Sequence, residues 1–200
     1  METTSVSKLA TNDKPATKRR AVSVGVLILL AYSMLIYDVT GNVPFGAAAD
    51  IISGLAVIGI AVLLFPLFRA KNSAAPHAAG SKVLSGAYLI SRLVEGLLMI
   101  AGGVFILTPA TRDYRPAIYD NIHIYFFIAG ALLFYLLLFR TRLVPRFLSV
   151  WGLIASVMLL VITGLGLAGI KSPILDALLM PMVGNEVVLA IWLMVKGFTK

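Results

Sequence analysis

The chain alternates between long apolar runs and short polar breaks, and six of the runs reach bilayer length. In order they cover about residues 21–38, 47–68, 83–107, 121–139, 147–170 and 174–195. Continuous apolar runs of roughly 17–25 residues cross a hydrocarbon core of about 30 Å as α-helices. A transmembrane barrel would instead show alternating segments of about ten residues. The pattern therefore predicts an all-α, polytopic membrane protein, a bundle of six transmembrane helices within residues 21–200. Residues 1–20 are polar, rich in Thr, Ser, Ala and Lys, and are expected to form a disordered tail.

Charge then orients the bundle. The two tails and the even-numbered loops carry thirteen of the seventeen Lys and Arg residues: five before the first span, three, three, and two after the last. The odd-numbered loops carry Arg112, Arg115 and Lys171, and Asp38, Asp50, Asp113, Asp120 and Asp176 fall on that same side. Basic loops stay cytoplasmic, so both termini are expected in the cytoplasm and the protein in the plasma (inner) membrane. Trp151 and Trp192 lie about a turn inside the cytoplasmic boundary, where indole rings anchor helices. A basic stretch before an apolar run also describes a signal peptide. Against cleavage, the first run is longer than a signal core, and Ala47-Ala48-Ala49 lies well beyond its end. An uncleaved first helix is the expectation.

Composition narrows the chemistry. The net charge of +8 is spread over loops, which suits contact with anionic lipid rather than nucleic acid. With no cysteine, thiol nucleophiles and thiolate metal sites are excluded, and no cofactor or metal is implied. No metalloprotease, P-loop, dinucleotide or serine-hydrolase motif occurs. Residues 164–169, Gly-Leu-Gly-Leu-Ala-Gly, lack a preceding strand and read as a helix-packing surface.

The candidate chemistry lies in polar residues inside the spans. In the third, Ser85, Tyr88, Arg92, Glu95, Met99 and Gly102 recur three or four apart and form a polar or small stripe that should face the bundle. Leu89, Leu93, Leu97, Ile100 and Val104 lie away from it. A central Arg costs about 2.5–3.5 kcal/mol on insertion-derived scales, so Arg92 should be paired or reach water. Glu95 stands one turn on. In the sixth span, Asn185 and Glu186 lie at the depth of Arg92, each roughly 15 Å from the same face at 1.5 Å per residue, so Arg92 could pair with Glu95 or with Glu186. Pro181 either breaks that helix or starts its regular part. On the fourth span, Asn121, Tyr125, Leu132 and Tyr135 are placed along one face. Tyr125, Tyr135 and Tyr88 are candidates to support the carboxylates, by hydrogen bonding or by packing. His123 is expected at the interface, and Asp38 and Asp50 in solvent.

Three stretches resemble motifs of DUF4386, a family of bacterial and archaeal integral membrane proteins. They are residues 87–95 (Ala-Tyr-Leu-Ile-Ser-Arg-Leu-Val-Glu), residues 143–152 (Leu-Val-Pro-Arg-Phe-Leu-Ser-Val-Trp-Gly), and Asn185-Glu186 with Ile191-Trp192-Leu193 and Lys196-Gly197-Phe198. The resemblance covers nearly the whole chain after the tail. It implies six membrane helices and no established activity.

Three functions stay open at this stage. Arg92, Glu95, Asn185 and Glu186 could serve a small proton- or ion-coupled transporter, since intramembrane charges mark solute pathways. They could serve a membrane-embedded enzyme acting on a lipid-like substrate, with a carboxylate as acid or base. Or they could fix helix packing in a protein that serves a membrane partner or a second copy of itself. Besides the lipid bilayer, a small-molecule ligand of unknown identity is the expected partner.

Overall fold

The computed structural model describes residues 3–73, 78–170 and 172–199. Helix α1 (Thr3–Ala31) passes through a 3-10 turn (Tyr32–Met34) into α2 (Leu35–Thr40), and α3 (Val43–Ser73) and α4 (Ala78–Phe105) follow. Next come α5 (Tyr114–Ile118), a π turn (Tyr119–His123), α6 (Ile124–Thr141), α7 (Arg146–Leu167), α8 (Pro173–Ala177) and α9 (Met180–Val195). Among the described residues there is no strand.

Six stretches are long and apolar enough to cross a membrane: Ala16–Thr40, Val43–Lys71, Lys82–Phe105, Tyr114–Thr141, Arg146–Leu167 and Pro173–Val195. Their boundaries depart from the apolar pattern in two places. The helix of the first span begins at Thr3, ahead of the apolar run, in a segment rich in Ala, Lys and Arg, which favour helix. The fourth span begins at Tyr114 rather than near residue 121. Hydropathy placed Arg115 in a loop, whereas its charge is neutralised inside the bundle, as described below. Residues 74–77, which include Pro76 and His77 between the second and third apolar runs, and Lys171 lie outside the described residues.

Packing arranges the spans in a closed ring. The third span touches the second and fourth, the fifth touches the fourth and sixth, and α9 returns to α1, which also packs on α3. The seam between the second and third spans is the most extensive, and glycine explains its closeness. A Cβ on Gly96 would lie 2.6 Å from the Gly54 carbonyl oxygen, and one on Gly54 would strike the Gly96 carbonyl in return. Small residues let membrane helices approach backbone to backbone. The glycine-rich stretch at the end of α7 behaves differently. Added Cβ atoms at Gly164, Gly166 and Gly169 would meet nothing within 4 Å, so the packing surface expected there has no partner among the described residues.

One end of the ring is basic, with Arg69, Lys82, Arg140, Arg142, Arg146 and Lys196; the other carries Asp38, Asp113 and Asp120. The basic half is solid. Phe68, Tyr88, Phe134 and Tyr135 pack edge and face with ring centroids 5.0 to 6.5 Å apart, and Leu64, Leu137, Leu148, Leu189 and Leu193 surround them. Gly152 leaves room for the Tyr135 ring, which a Cβ would overlap.

The acidic half is irregular. The first span changes to 3-10 winding at Tyr32–Met34, the fourth contains the π turn, and the sixth is divided between α8 and α9. Pro181 sits in the first turn of α9, where its missing N–H costs nothing. It starts that helix and does not break it. Non-ideal backbone at membrane depth is tolerated where it is enclosed by protein or lines a cavity.

Candidate functional site

The polar stripe of the third span turns inward along its whole length. Ser85, Tyr88, Arg92, Glu95, Met99 and Gly102 are all buried, while Leu97 and Val104, on the other side, are half exposed. Arg92 donates from Nη1 to both oxygens of Glu95 at 2.8 Å, an i,i+3 ion pair with both side chains buried. The guanidinium lies 5.7 to 6.0 Å from the ring centroids of Tyr88, Phe127 and Phe134, the outer limit for cation–π attraction. Gly130 makes room for it, since a Cβ there would come within 2.9 Å of Arg92 Nε. That Nε has no hydrogen-bond partner.

Glu186 pairs elsewhere. Its Oε2 accepts a 2.6 Å bond from the Tyr32 hydroxyl, which ties the sixth span to the 3-10 turn of the first. Of the two partners open to Arg92, the structure selects Glu95. Glu186 is near enough to feel the Arg92 charge yet makes no ion pair with it. The local pair wins because a residue one turn away on the same helix needs no cooperation from a second helix.

Between these groups lies a cavity of about 420 Å³ to which all six spans contribute. Arg92, Glu95 and Glu186 face it at mid-depth, with Phe134 and Tyr88 beneath. Towards the acidic end its wall continues through Tyr119, Asp120 and His123 to Leu35 and Met180, which are exposed. No residue of the basic end lines it, and the aromatic layer closes it there. The void is within the roughly 300–1,000 Å³ of small-molecule sites.

The remaining sequence candidates divide. Asn185 is fully buried but donates Nδ2 to the Leu148 carbonyl at 3.0 Å, a tie between the fifth and sixth spans that leaves it out of the cavity lining. Tyr135 belongs to the aromatic layer. Tyr125 is exposed and does not line the cavity. Ten residues at 3.6 per turn end about 80° short of whole turns, so Tyr125 and Tyr135 do not share a face. His123, expected at the interface, is 4% exposed. It lies between Tyr119 and Phe127, with centroids 4.8 and 6.3 Å away. The π turn rolls it inward, and such turns are frequent at functional sites.

A second charged cluster escaped the sequence reading. Asp50, expected in solvent, is 0% exposed, and Arg115 is 4% exposed. Arg115 donates Nε to Asp50 Oδ2 at 2.6 Å and Nη2 to Oδ1 at 3.1 Å. Its Nη1 reaches Asp38 Oδ1 at 2.9 Å, and Nη2 also reaches the Met34 carbonyl at 3.2 Å. Tyr37 and Tyr119 cover the guanidinium at 4.8 and 4.6 Å. Asp38 is paired too, though exposed. The signal was present. Asp50 interrupts an apolar run just as Arg92 does, so it needed a cation, and that side of the chain offers only Arg112, Arg115 and Lys171.

Six apolar spans around a charged central void define a multi-pass helical membrane protein. Within that class, the family model described as Domain of unknown function (DUF4386) matches residues 29–197, and the chain belongs to that family. The match includes every charged residue of both clusters. No curated protein and no solved structure matches the chain.

Proposed function

We propose that the protein is a small-solute carrier of the plasma membrane, with both termini cytoplasmic and Arg92, Glu95 and Glu186 at its substrate site. The observation that carries this reading is the asymmetry of the cavity. It descends from the acidic end to the mid-membrane charges and stops at a packed aromatic layer, the form expected of a carrier open to one side. The 3-10 turn of the first span and the divided sixth span, joined through Tyr32 and Glu186, are irregularities of the kind on which transporter sites are built. Loop charge supports the orientation, since the basic end should face the cytoplasm and the cavity then opens outward.

Two experiments test this. The chain has no cysteine, so single Asp113→Cys and Arg142→Cys variants report sidedness directly. An impermeant maleimide should label the first in intact cells and the second only after permeabilisation. For transport, proteoliposomes holding the purified full chain should exchange labelled organic cations, amino acids or sugars above empty-liposome background. Background flux throughout, together with no solute that raises thermal stability, contradicts the carrier reading.

A further inference from the structure

Among the described residues lining the cavity, the charges do not balance. The Arg92 charge is offset by Glu95, whose two oxygens its Nη1 holds. Glu186 at the floor and Asp120 at the mouth make no ion pair. Glu186 uses Oε2 to accept from Tyr32, while Oε1 receives no hydrogen bond. A carboxylate at mid-membrane is expensive unless something positive or protic meets it. A second observation points the same way. His123 Nε2 is buried without a partner on the wall of the same cavity, a polar atom with nothing in the protein to bond. The rest of the wall is aromatic and aliphatic, with Phe127, Phe134 and Leu159 among its members.

We propose that the cavity takes an organic cation. Its ammonium sits against Glu186 Oε1, its apolar body fills the space beside Phe127 and Leu159, and a hydrogen-bonding group reaches His123 Nε2. Alternatives of other charge fit worse. An anion would meet Glu186 and Asp120, with only Arg92 to hold it, a charge that Glu95 already offsets. A hard metal ion takes about six or more oxygen ligands, far more than Glu186 and Tyr32 offer together. The inference rests on the reading that this cavity holds a solute, and adds which charge the solute carries.

The test uses three compounds of one rigid skeleton, 1-adamantylamine, 1-adamantanol and 1-adamantanecarboxylate, titrated by calorimetry into the full chain in phosphatidylglycerol nanodiscs, a lipid with no ammonium of its own. The amine should bind and the alcohol and carboxylate should bind at least roughly ten-fold more weakly, the worth of one charge-assisted hydrogen bond. Glu186→Gln, nearly isosteric, should erase the preference. Val183→Trp, which fills the cavity from the wall beside Glu186, should remove binding of all three. Adding phosphatidylethanolamine separates the sources of such a cation: competition assigns the site to a lipid headgroup, and no competition assigns it to a free amine. Equal binding of amine and alcohol, stronger binding of the carboxylate, or an amine preference that survives Glu186→Gln overturns the cation while leaving the cavity as a solute site. Binding of none of the three contradicts both.

Discussion

Arg115 and Arg92 are both buried arginines paired with carboxylates, and they are held in opposite ways. Arg115 uses Nε, Nη1 and Nη2, bonds two carboxylates and a carbonyl from the first two spans, and has a tyrosine near each side. Every hydrogen-bond partner is distant in sequence. Arg92 uses only Nη1, on a carboxylate three residues away, and leaves Nε free beside a void. A saturated cluster that joins three spans stabilises an arrangement and has no capacity left for a ligand. An unsaturated one beside a cavity contributes little to packing and keeps its capacity. The first cluster has the form of an architectural one, and under the proposed carrier function the second is where a solute would act.

Breaking the architectural cluster should have the largest effect on stability. Asp50→Asn leaves a buried guanidinium with Asp38 alone, and removing one partner of a buried pair costs about 3–5 kcal/mol. Unfolding in detergent followed by circular dichroism should show that loss, while the fraction still folded keeps its cavity.

Arg92→Met should cost less, about 1–3 kcal/mol, because Glu95 can take up a proton and remain as a neutral buried polar group. Adding Glu95→Gln to Arg92→Met should return most of that stability. A double variant no more stable than the single one would make Arg92 as architectural as Arg115.

These expectations were unevenly legible in the sequence. The spans and the inward stripe of the third follow from hydropathy and from the spacing of Ser85, Tyr88, Arg92, Glu95, Met99 and Gly102. Both are local patterns. The Arg115 cluster joins residues 38, 50 and 115, from two span ends and a loop, and hydropathy leaves such charges to solvent because it scores each residue without its partner. The inward turn of His123 depends on the π turn, which shifts helical phase and so defeats periodicity. The Tyr32–Glu186 bond requires the closed ring, because α1 meets α9 only after all six spans are packed.

Asp38→Asn should have the smallest effect, about 0–1 kcal/mol, because an exposed ion pair is screened by water. A loss as large as that from Asp50→Asn would mean that the Arg115 cluster extends to the surface.

The contrast between the clusters rests most directly on one measurement: thermal unfolding of the wild-type chain and of Arg92→Met/Glu95→Gln/Glu186→Gln, each with and without 1-adamantylamine. Replacing a buried charged set with neutral groups of similar size is often neutral or stabilising. Without ligand the two proteins should therefore unfold at similar temperatures, and with it only the wild type should shift upward. A triple variant that unfolds far below the wild type, or that gains the same upward shift, would contradict the assignment of these charges to function.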